Sequence, residues 1–355
     1  MTIVVALLGL IFLIVIHELG HMLTAKALGV RVPEFGIGFG PAIFKKKFGE
    51  TVYSFRIILL GGFAKMAGME DIGSVAQEKG ELAPDTYPSK APWKRALIIF
   101  AGPGVNIVAC VLILAGTYMF SGVVTGATTQ VDEVVPKTFA AEAGIKAGDK
   151  LVGLDGSKIG NWDNFQKTIA DKEPGEEVAL AVERDGERRT FTGELSENPQ
   201  DPEQGLVGVR PVPVTTSYGP LQSLGFGVQR TAEFTVLYVG GLYQLVTGQM
   251  DFFDNVSGPV GIVGASSELV SEGVYVRFLA IISLILGIMN LLPILPLDGG
   301  HLLFIATEKV IGRPVSQQTM GKVAFLGLAL FLTLFLFATY ADISKIIEGQ
   351  PFIPQ

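Results

Sequence analysis

The chain has 355 residues, 49% of them apolar and only 17% charged, with a mean hydropathy of +0.46. Those values argue against a wholly soluble protein and leave room for several membrane spans plus one soluble domain. A net charge of −7 gives a nucleic-acid partner no electrostatic support, and a single cysteine, Cys110, excludes an intrachain disulfide.

Four segments are apolar and long enough to cross about 30 Å of hydrocarbon. The first, residues 1–28, lacks a basic leader and a small-residue cleavage site, so it reads as a retained span and not as a signal peptide. Residues 29–95 follow as a loop with ten Lys/Arg, Lys45-Lys46-Lys47 among them, against seven Asp/Glu. The second span, 96–121, is led in by Trp93, Lys94 and Arg95 as an interfacial anchor. Residues 122–214 hold ten Lys/Arg against seventeen Asp/Glu and read as a soluble α/β domain. Within it, "VALAVERDGERRTFTGEL" predicts a hairpin turning at Asp185-Gly186, and "NWDNFQKTIAD" a short helix capped by Asn161 or Asp163.

Residues 215–277 read as a linker with a helix at about Leu221 to Thr247. The third span, 278–305, is interrupted by Pro293 and Pro296. A short loop, 306–322, carries Lys309, Arg313 and Lys322 before the fourth span, 323–345, and a tail, 346–355. By the positive-inside rule the two basic loops are cytoplasmic, and the acidic block and both termini lie outside.

The first span contains "HELGH". His17 and His21 are four residues apart, so on a helix both imidazoles leave one face, one turn apart. That geometry suits two nitrogen ligands on one Zn²⁺, with Glu18 beside them to take a proton from water. Only three histidines occur in the chain, which makes a chance match improbable, and ionisable groups inside a bilayer are costly and usually functional. A hydrolytic zinc site wants a third protein ligand. Asp298 and His301 in "NLLPILPLDGGH" are the two candidates: a carboxylate on proline-interrupted backbone, or the remaining histidine.

Together these segments resemble the site-2 protease family, the zinc metalloproteases that cut within membranes, in their bacterial RseP-like form with one PDZ domain. "HELGH", "NLLPILPLDGG" and "AAEAGIKAGDKLVGLDGSKIGNWDNF" stand in the family's order. The resemblance implies a polytopic α-helical membrane protein with membrane-associated β segments and an inserted α/β PDZ domain. It implies that His17, His21 and Asp298 bind zinc and that Glu18 is the general base. It places Asn290 and Pro293 against the substrate, and brings Asn106 of "AGPGVN" near the active centre as a further substrate contact. "SGPVGI", residues 257–262, is another family-like stretch. One departure is Leu295, where the family often has its second proline; here that proline is Pro296.

The implied activity is hydrolysis of peptide bonds inside the membrane segments of single-pass proteins already trimmed outside, such as anti-sigma factors or remnant signal peptides. The partners are then those substrates and the lipid bilayer of the bacterial inner membrane. A substrate helix hides its amides, so it must unwind; the alternating stretch 52–58 is expected to offer it a strand edge. A silent scaffold would show an eroded motif, and a zinc transporter would show ligand clusters along more than one span. Neither pattern is present.

Overall fold

The computed structural model describes residues 2–69, 83–199, 201–271, 274–313 and 315–348. Residues 70–82 of the first loop and 349–355 of the expected tail lie outside them. The chain divides into two units: Met1–Thr117 with Pro220–Gln355, and Tyr118–Gly219.

The first unit is mainly helical. Helices α1 (Thr2–Ala27), α2 (Pro92–Phe120) and α10 (Gln317–Ile347) are its long apolar rods. Among the described residues, these are the helices long and apolar enough to cross a membrane. Ser316 starts α10 by accepting the Thr319 backbone N–H at 3.2 Å. The third span is interrupted where its two prolines fall. It is built as α8 (Tyr275–Asn290) and α9 (Asp298–Ile311), with residues 291–297 unwound between them. Pro293 and Pro296 have no N–H to give a helical ladder, and each disfavours helical geometry in the residue before it.

The region expected as a linker, 215–277, is also largely part of this unit. It contains α5 (Pro220–Val246), the short α6 (Phe252–Asn255) and α7 (Pro259–Ser271). A Cβ on Gly227 would lie 2.6 Å from the Val111 carbonyl of α2, so α5 packs there through a small residue. Thr231, one turn on, meets Cys110 at 3.4 Å. The "SGPVGI" stretch also finds a place. Buried Asp342 of α10 accepts the backbone N–H groups of Gly258 and Gly261 at 3.0 and 2.7 Å, which caps the start of α7. A Cβ at either glycine would fall within 2.7 Å of that carboxylate or of the α10 backbone behind it.

Arg95 does not serve as an interfacial anchor. Its guanidinium is largely buried and pairs with Glu308 of α9 at 2.6 Å, whereas Trp93 is 60% exposed with Lys94 over its ring. One charge of the expected anchor ties two helices together instead.

Strands β1 (Glu34–Phe48) and β2 (Thr51–Lys65) form an antiparallel hairpin that turns at Gly49-Glu50. Both strands bend, so Glu34–Ile37 faces Val52–Phe55 on one side and Gly62–Lys65 on the other. Val52–Phe55 in turn faces Phe44–Lys47. Val52–Phe55 of the stretch expected to supply a free edge therefore has partners on both sides; the outer segments are Phe44–Lys47 and Gly62–Lys65.

The second unit builds its own core. Strands β3 (Val123–Val134), β4 (Lys150–Leu154), β6 (Glu177–Arg184), β7 (Glu187–Glu194) and β10 (Val209–Thr216) make one sheet, ordered β10-β3-β4-β6-β7. The two-residue β5 (Ser157–Lys158) pairs with β4, and β8 (Ser196–Asn198) pairs separately with β9 (Asp201–Leu206). Helices α3 (Phe139–Ala143) and α4 (Trp162–Ala170) contribute Phe139, Phe165 and Ile169 to a core with Val131, Leu151, Leu180 and Val182. The hairpin turns with Asp185 at φ 56° and Gly186 at φ 80°, the left-handed pair that matches strand twist. Asn161 caps α4 by accepting the Asn164 N–H at 2.8 Å. Asp149, 1% exposed, receives Arg184 through both its oxygens at 2.6 and 2.7 Å and the Lys146 N–H at 2.9 Å. The Arg184 guanidinium holds that carboxyl below the usual range, against the opposing effect of burial.

Candidate metal centre

His17 and His21 lie on the buried face of α1, 8% and 5% exposed. Their neighbours are cut to size. A Cβ on Gly20 would stand 2.5 Å from the Ala101 carbonyl of α2, and one on Gly102 would overlap the His21 ring. Two glycines thus let α1 and α2 approach closely enough for imidazoles to fit between them. The third group arrives from α9, whose first residue is Asp298.

The three donor atoms form a nearly equilateral triangle. His17 Nε2 and His21 Nε2 are 3.2 Å apart, and Asp298 Oδ2 lies 3.1 Å from the first and 3.3 Å from the second. Zinc bonds of about 2.0–2.1 Å at tetrahedral angles require ligand atoms roughly 3.3 Å apart, so the spacing fits. The chemistry fits as well. His21 Nδ1 lies 2.9 Å from the Ile98 carbonyl, which only accepts, so the neutral ring carries its proton there and turns the Nε2 lone pair inward. Among the described residues, buried Asp298 Oδ2 has no hydrogen-bond donor. Among the described residues, this is the one group of three or more His, Cys, Asp or Glu side chains with metal-binding spacing.

Glu18 follows His17 on α1 and sits beside the Gly62–Lys65 segment of the hairpin. Its Cγ is 3.0 Å from where a Gly62 Cβ would stand, and the Ala64 backbone N–H faces its carboxylate. His301, the alternative third ligand, lies one turn beyond Asp298 on α9 and outside the triangle. Asn290 ends α8 and gives its side-chain N–H to the Leu286 carbonyl at 2.9 Å. Pro293 is exposed on the 291–297 connection. Asn106 does not fit the expected substrate contact: it is 0% exposed, with Nδ2 3.5 Å from His17 Nδ1. The Ile98 carbonyl and the Ala64 N–H escaped sequence reasoning because backbone groups leave no residue-type signal.

Two histidines and a carboxylate converging on apolar helices, with a glutamate one residue along, define a membrane metallohydrolase. The sequence profile of peptidase family M50 matches residues 5–334, and the chain belongs to that family. It is a zinc-dependent metalloprotease. The zinc metalloprotease RasP of Geobacillus kaustophilus is 33% identical, over 94% of this chain and 95% of its own. A putative zinc metalloprotease of Agrobacterium fabrum is 35% identical over 96% and 95%. The regulator of sigma-W protease RasP of Bacillus subtilis is 29% identical over 94% and 96%. Among solved structures, the PDZ domain of an SdrC-like protein from Listeria monocytogenes matches 25% of this chain and 93% of its own, at 22% identity and a TM-score of 0.23.

Proposed function

We propose that the protein hydrolyses peptide bonds within the membrane segments of single-pass proteins already trimmed outside the bacterial inner membrane, anti-sigma factors or remnant signal peptides being the substrate classes. The carrying observation is the donor triangle of His17, His21 and Asp298 with Glu18 beside it. Those three residues would hold the zinc. When bound, zinc acidifies water and polarises a scissile carbonyl. Glu18 accepts the proton of the attacking water on its carboxylate and passes it to the leaving amide nitrogen. Gly62–Ala64, paired among the described residues with Phe35–Ile37, would present its other side to an unwound substrate strand next to Glu18. Asn290, at the end of α8, and Pro293, within the 291–297 connection, are the residues that would contact the substrate. The active site lies toward the cytoplasmic side, and the Tyr118–Gly219 unit lies outside.

That unit has two roles open to it, receiving a peptide C-terminus by strand addition or excluding bulky substrates. Gly208, Val212 and Val214 turn their carbonyls toward the β3 side, where Val135 N–H, Thr128 Oγ and Thr125 Oγ donate to them at 2.9, 3.2 and 3.3 Å. The alternate positions, Val209, Pro211 and Pro213, therefore face the open edge of β10, and two of the three lack an N–H. Such an edge is poor at adding a strand and favours the size filter.

Glu18→Gln tests the catalytic reading. Cleavage of a model transmembrane substrate should fall by about 10²–10⁴-fold with zinc content unchanged, and uncleaved natural substrates should accumulate on the variant in cells. A wild-type rate for this variant would reject the assignment.

A further inference from the structure

We infer that Asn106 is a positioning residue for the zinc ligand His17, holding the ring proton on Nδ1, and is not a substrate contact. The inference rests on the three-ligand site proposed above. A histidine that binds a metal through Nε2 must keep its proton on Nδ1 and needs an acceptor there. For His21 that acceptor is the Ile98 carbonyl. His17 faces the same requirement, and the polar group beside its Nδ1 is the Asn106 amide at 3.5 Å.

Three features single out the amide. Asn106 is 0% exposed, so an extended substrate does not reach it. Its Oδ1 is buried without a donor among the described residues, and a half-turn about χ2 exchanges Oδ1 and Nδ2, presenting the acceptor to the ring. Its backbone is pinned from a second helix: Ser283 Oγ of α8 donates to the Asn106 carbonyl at 2.8 Å, and Gly287 of α8 lies against the same turn. Ile98 and Asn106 are eight residues apart, a little over two turns, and so share one face of α2. That face orients both imidazoles, with Gly102 between them making room for His21. The "AGPGVN" segment then serves as a rack for the ligands.

The test measures zinc affinity of the purified full-length protein by chelator competition, alongside KM at saturating zinc. Asn106→Leu, which cannot accept, should weaken zinc binding by about 10–100-fold with KM unchanged. Asn106→Asp accepts the same proton and should stay within a few-fold of wild type; it carries the test by itself if the leucine variant does not fold. Undiminished zinc affinity in Asn106→Leu with a raised KM would restore the substrate role. A tenfold or greater loss in Asn106→Asp would overturn the inference. His17→Ala serves as the reference. If it too retains zinc, the metal site itself is misassigned; if it alone loses zinc, only the role of Asn106 fails.

Discussion

The two units handle buried polarity in opposite ways. In Tyr118–Gly219, Asp149 is enclosed and every approach to it is answered, by Arg184 on both oxygens and by the Lys146 N–H. In the helical unit, Asp298 is also largely buried, yet its Oδ2 faces two imidazole nitrogens and, among the described residues, no donor. Charge that is saturated by its own protein organises a fold; lone pairs left converging on one point await a cation. Burial alone would not have told the two aspartates apart.

The largest effect that would break this contrast comes from Asp298→Ala. It should abolish stoichiometric zinc binding and with it activity, whereas His301→Ala should retain both; metal analysis of the two purified variants decides. If His301→Ala loses the metal and Asp298→Ala keeps it, the unsatisfied oxygen was misread. Next in size, Leu180→Ala, at a side chain 0% exposed in the sheet core, should destabilise the Tyr118–Gly219 unit by about 2–5 kcal/mol. Zinc content should not change, as measured by denaturant unfolding and metal analysis on the same preparation.

Acidification sharpens the comparison further. Because the Arg184 guanidinium lowers the Asp149 carboxyl, its contribution is fully present above the unfolded aspartate value, about 3.9, and drains away as pH falls through the lower folded value. Asp149→Asn should flatten that acid limb of the unfolding curve. The smallest effect is expected at Asn161→Ala, which removes the α4 cap and should cost about 1 kcal/mol in the same measurement.

Much of this was legible in the residues, for identifiable reasons. Apolar runs announced α1, α2 and α10 because lipid imposes length and composition together. His17, Glu18 and His21 could be read because one helical turn brings i and i+4 together without help from the rest of the chain. The Asp185-Gly186 turn was legible because few dipeptides accept two left-handed residues. What stayed hidden depends on distant partners. The residues by themselves leave Asp298 and His301 open; the family resemblance favours Asp298, and the packing of the chain sets its oxygen against both imidazoles. The alternation of 52–58 fits a strand, but alternation does not distinguish an edge from an interior position, which the bend of β1 decides. Arg95 beside Trp93 looks like a headgroup anchor until Glu308, more than 200 residues later, appears opposite it.

The seven-residue gap between α8 and α9 has a consequence for solvent. Pro293, Ile294 and Pro296 are exposed there, while Leu295 is buried and a Cβ on Gly327 of α10 would overlap its carbonyl. Hydrocarbon does not tolerate bare peptide groups, so at membrane depth this stretch persists only where protein or water surrounds it. At Leu295 that cover is α10; where it is water instead, at Pro293, Ile294 and Pro296, the kink that delivers the Asp298 carboxylate also brings the hydrolytic reagent beside it.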